Sequence, residues 1–138
     1  MNRRRRLVGS VALAAALAGS LSVAAPVAAA PKAKASVEVA DTATLGPGGQ
    51  TAVIEVTASC ARGRWQVLEA FITISQPQAF GEAGIPLSCT GRAQTFAVTV
   101  TSFDQPFMVG DAQASAFVLI ERRGQTQQAQ DSEVIQLL

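Results

Sequence analysis

From Val37 onward the chain alternates apolar and polar positions in short runs, broken by glycine-rich stretches. The clearest run is TAVIEVTASC, Thr51–Cys60, in which Ala52, Ile54, Val56, Ala58 and Cys60 share one parity. Thr51, Glu55, Thr57 and Ser59 take the other, with Val53 the single exception. A period of two with one polar face predicts a strand packed on one side only. Trp65 to Ser75 follows, with Leu68, Ala70, Ile72 and Ile74 expected inward, then Gln94 to Phe103, which sets Phe96, Val98 and Val100 against Thr95, Thr99 and Thr101. Ala112 to Glu121 turns Ala114, Ala116, Val118 and Ile120 inward. Val37 to Leu45 supplies a first strand or two, Leu87 to Cys89 a short one, and Val134 to Leu138 the last. Turn signals fall at Gly46–Gly49, Ala61–Gly63, Gly81–Gly84, Thr90-Gly91, Gly110-Asp111 and Arg123-Gly124, while helical periodicity is missing. Short strands at this spacing predict an antiparallel all-β sandwich or barrel.

The first residues follow a different rule. Arg3–Arg6 form a positive start, Leu7 to about Leu21 an apolar run, and small residues including Ala28 and Ala29 close it. That order is a secretory signal peptide, residues 1–29, and the apolar run is short and interrupted for a bilayer span of roughly 20 residues. Cleavage is expected after Ala29, with Ala24 and Ala35 as alternatives. Arg4-Arg5-Arg6-Leu7 also fits a twin-arginine signal, although general secretion is the preferred reading. The product is expected to be secreted, with residues 30–35 a flexible tail, residues 36–138 one domain, and no membrane attachment after cleavage.

Loss of the leader changes the charge. The chain carries +1 overall, but beyond Ala29 seven basic side chains face ten acids, a net of −3. Arginines scattered through a mildly acidic domain do not make the basic stripe that nucleic acid needs, so no nucleic-acid partner is expected.

The cysteines settle architecture rather than chemistry. Cys60 shares the inward parity of Ile54 and Val56, and Cys89 that of Leu87. Two inward cysteines in an exported chain predict a disulfide between Cys60 and Cys89. With no histidine in the chain, a Cys–His nucleophile and His-containing zinc sites are excluded. About seven strands and one bridge describe an immunoglobulin-like β-sandwich, although the spacing of 29 is much shorter than in a true immunoglobulin domain.

An Ala-rich leader, the stretch SVEVADTATLGPGG, a cysteine ending the second strand, SCTG before an alternating strand, and PFMVGDAQASAFV together make the chain resemble small actinobacterial secreted domains of unknown function. The resemblance implies a disulfide-stapled β-sandwich and carries no catalytic residue. More distantly, the chain is similar to neocarzinostatin-like apoproteins, sandwiches that hold a small chromophore in a cleft. Those have two disulfides, whereas this chain can form one.

Catalytic chemistry finds little material. Glu55 and Glu69 are expected on outer strand faces, Glu82 in a loop, and the lysines, Lys32 and Lys34, in the tail. A serine nucleophile would lack its base, and Gly46-Pro47-Gly48-Gly49 precedes no helix that would cradle phosphate. A non-enzyme without cofactor or metal is expected. Three stretches are candidate contact sites: Arg64 and Trp65 at a hairpin, Phe80 within the Pro77–Pro86 loop, and Phe107 and Met108 in FDQPFMVGD. The expectation is a monomeric interaction module for an extracellular protein or cell-wall component. A small-ligand carrier is the alternative, and a protease inhibitor acting near Met108 is a third reading.

Overall fold

The computed structural model describes residues 33–138, so the expected leader lies outside the described residues. Seven strands make up the domain: β1 (Ala35–Leu45), β2 (Thr51–Cys60), β3 (Gln66–Gln76), β4 (Ala79–Gly84), β5 (Gln94–Ser102), β6 (Gly110–Arg122) and β7 (Gln125–Leu137). A single 3-10 turn, Pro47–Gly49, joins β1 to β2. The strands close in the order β1-β2-β5-β4-β3-β6-β7 into a barrel, so the all-β fold holds but the closure is not clearly that of a sandwich. Two seams complete the ring, each only two residue pairs wide: Gly81↔Ser102 and Glu82↔Thr101 between β4 and β5, and a parallel contact of Thr42 and Ala43 with Gln136 and Leu137.

The alternation seen in sequence is the interior. Ala52, Ile54, Val56, Ala58 and Cys60 from β2 meet Ala114, Ala116, Val118 and Ile120 from β6, with Ile72, Ile74, Ile135 and Leu137, all buried. β1 is one strand with an irregularity between Val39 and Ala43, where it leaves its pairing with β2 and touches β7. The backbone N–H of Val39 donates to the Asp131 carboxylate across that seam at 2.8 Å. Ala35, expected in a loose tail, instead opens β1 opposite Cys60 and is buried.

Three local expectations are corrected. First, β3 contains a bulge: Val67 pairs with Ile120 and Glu69 with Leu119, leaving Leu68 unopposed. The extra residue flips the parity, so Leu68 points outward at 47% exposure and Trp65 goes inward at 5%. Second, Ala79–Gly84 forms strand β4 rather than part of a loop, so Glu82 lies on a strand. Gly81 reads as a turn residue in sequence, but it is there because β5 passes so close that a Cβ would sit 2.5 Å from the Thr101 carbonyl oxygen. Third, Leu87–Cys89 is not a strand. Its burial alternates, with Ile85 and Leu87 inside, but Pro86 offers no N–H to a ladder and Leu87 N–H turns back to the Ile85 carbonyl at 2.8 Å.

The disulfide joins Cys60 at the end of β2 to Cys89 in that irregular segment, with the two Cα atoms 4.3 Å apart.

Candidate contact surface

Strand length separates two ends of quite different chemistry. At one end the β3–β4 hairpin meets the β5–β6 loop, Phe103–Val109. The loop exposes Phe103 at 64%, Met108 at 61% and Val109 at 74%, and Phe80 stacks beside Phe103 with ring centroids 5.6 Å apart. Side chains this apolar are normally sequestered, and grouped exposure marks a contact surface. The loop is nonetheless fixed. Gln76 donates to the carbonyls of Met108 (2.8 Å) and Asp111 (3.1 Å), and its own carbonyl oxygen accepts from Met108 N–H at 2.9 Å. The Ser102 hydroxyl donates to the Gln105 carbonyl, and Phe107 N–H reaches the Gly49 carbonyl at 2.8 Å. Phe107 itself is buried, plugging this end of the core.

At the other end, the β2–β3 turn, the 90–93 segment and the β6–β7 hairpin come together. Trp65 is buried there, and the Arg122 guanidinium lies 4.7 Å from the centre of its ring. The indole N–H is buried with no hydrogen-bond partner. Arg62 donates through Nε to the Thr90 carbonyl. Two open clefts flank the turn: one of 520 Å³ lined by Lys34, Arg62 and Arg92 among others, and one of 510 Å³ lined by Gly63, Arg64, Arg122, Arg123 and Gln125.

Of the contact residues expected from sequence, Arg64, Phe80 and Met108 are exposed, whereas Trp65 and Phe107 are core residues and leave the surface. Phe103 opens the FDQPFMVGD stretch singled out in sequence and is exposed; missed were Val109, in the same stretch, and Gln76, whose role shows only once β3 and the loop are placed together. Glu55, Glu69 and Glu82 stand exposed on three separate strands. Along β7, Glu133 has its carboxyl pKa raised, first by the charge of Asp131, then by desolvation, and then by Asp41 and Glu38. Compared with known proteins, the chain matches no family model and no curated protein.

Proposed function

We propose that the chain is an exported, non-catalytic interaction module that binds a protein partner through the apolar end formed by Phe80, Phe103, Met108 and Val109. The observation that carries this reading is the brace by Gln76: it holds an apolar loop in place before any partner arrives. A pre-ordered loop loses less conformational entropy on binding than a loose one. The filled interior along β2 and β6, with described clefts that are open rather than enclosed, favours such a module over a small-ligand carrier. A protease-inhibiting loop is disfavoured, because Met108 spends its own N–H and carbonyl on Gln76 rather than offering them to a protease. We read the ring as an immunoglobulin-like sandwich, with β1-β2-β5 facing β4-β3-β6-β7, whose edges touch at two narrow seams.

A photo-crosslinking residue placed at Phe103 or Val109 in the producing cells should yield one discrete protein adduct. The adduct should be absent from the same residue at Val53, on the outer face of β2, and weakened by Gln76→Ala. An equal pattern at all three positions would overturn the reading. Recovery from the medium of a chain beginning at Ala30 tests export.

A further inference from the structure

Every described basic side chain lies at the end of the barrel opposite the apolar loop. Lys34 precedes Ala35, which pairs with Cys60; Arg62 and Arg64 sit in the turn after Cys60; Arg92 follows Gly91, whose N–H binds the Cys60 carbonyl; Arg122 pairs with Gln125 across the hairpin that holds Arg123. In the first ladder rungs there, Glu121 is the acid, opposite Gln66 and Thr126. A domain whose sequence balance is acidic beyond its leader thus gathers six cations at one pole.

The backbone there is informative in its own right. Arg64 and Arg123 hold left-handed φ values of 68° and 50°. Arg123-Gly124 occupies the centre of a two-residue hairpin, where Asn-Gly or Gly-Gly is the low-strain choice. Arginine at two such corners of the same pole costs stability that glycine or asparagine would not, and strain of this kind concentrates where a side chain is used. Neither the sequence pattern nor the packing explains it.

We propose that this pole docks a linear, phosphate-bearing polyanion, with Arg64, Arg92 and Arg123 gripping successive phosphates across the two adjoining clefts. Five of the six cations are arginines, and the planar guanidinium fork matches phosphate oxygens two at a time. The clefts are concave, one on either side of the β2–β3 turn, which suits a chain passing over that turn. An anionic bilayer is the poorer match, because the exposed Phe103, Met108 and Val109 that would enter it lie at the far end.

Long-chain inorganic polyphosphate is the probe, titrated in parallel with orthophosphate and with phosphatidylglycerol vesicles. Polyphosphate should bind with an affinity that falls as salt rises, by about 0.7 logarithmic unit per phosphate contact as for a flexible single strand. The triple variant Arg64→Asn, Arg92→Gln, Arg123→Asn should bind at least about tenfold more weakly with a salt slope shallower by about 2. Asparagine tolerates left-handed backbone, so its thermal transition should be retained, which separates lost binding from lost folding. Arg3–Arg6 are common to both proteins, so the difference reads the pole. Equal affinity of variant and parent, competition by orthophosphate at matched phosphate concentration, or binding to vesicles without binding to polyphosphate would each overturn the proposal.

Discussion

Gly81 shows how a single position controls closure of the ring. A methyl group there would sit 2.5 Å from the Thr101 carbonyl oxygen and 2.8 Å from Val100 Cγ1, at one of the two pairs that join β4 to β5. Backbone cannot yield as a flexible side chain can, so Gly81→Ala should destabilise the protein by about 1–3 kcal/mol, read as a lowered urea midpoint; an unchanged midpoint would mean the seam is slack. Trp65 shows the opposite relation between residue and sequence. Its parity pointed outward, and only the unopposed Leu68 carries it inside. A bulge has no reliable signature in an apolar run, so the alternation leaves Trp65 half exposed unless a bulge intervenes, and only the structure places one. Cys60, by contrast, lies on an unbroken alternation and was legible.

Among the elements, the bridge matters most where pairing is weakest. Residues 85–89 belong to no strand, yet Ile85 and Leu87 are buried and Cys89 ties the segment to the end of β2. Replacing both cysteines by alanine should cost about 3 to 4 kcal/mol for a loop of this length, measured by chemical denaturation. Hydrogen exchange should rise first in residues 85–93; a uniform rise along the chain would contradict this placement. The strands that sequence located well, β2, β5 and β6, each alternate buried apolar positions with more exposed ones. β4 was lost because Gly81, there for close approach to β5, and Gly84 are the same residue type that marks turns. The polar half of β7, TQQAQDSE, has no apolar alternation to mark it in sequence; it is a strand, paired with β6 throughout.

For the molecule as a whole, charge and apolar surface are sorted by end and flank. β6 runs 13 residues between the two ends, roughly 40 Å at strand rise, so partners at the two poles would not collide. None of this sorting was visible in sequence, where the basic residues are spread from Lys34 to Arg123 and only the topology brings them together. The acidic flank has its own consequence. Because the Glu133 pKa is raised by Asp131 and its neighbours, the folded protein holds that proton more tightly than the unfolded chain. Stability then falls as pH climbs from the ordinary carboxyl range through the raised value, and returns on acidification. Glu133→Gln should therefore raise the melting temperature at neutral pH and leave it unaltered in acid; a gain of equal size at both would assign the effect to packing instead. The chain has a single tryptophan, and the guanidinium above it also lines the 510 Å³ cleft. Anything that pulls Arg122 away alters the environment of the only strong fluorophore, so the protein carries a built-in optical gauge of occupancy that needs no attached dye.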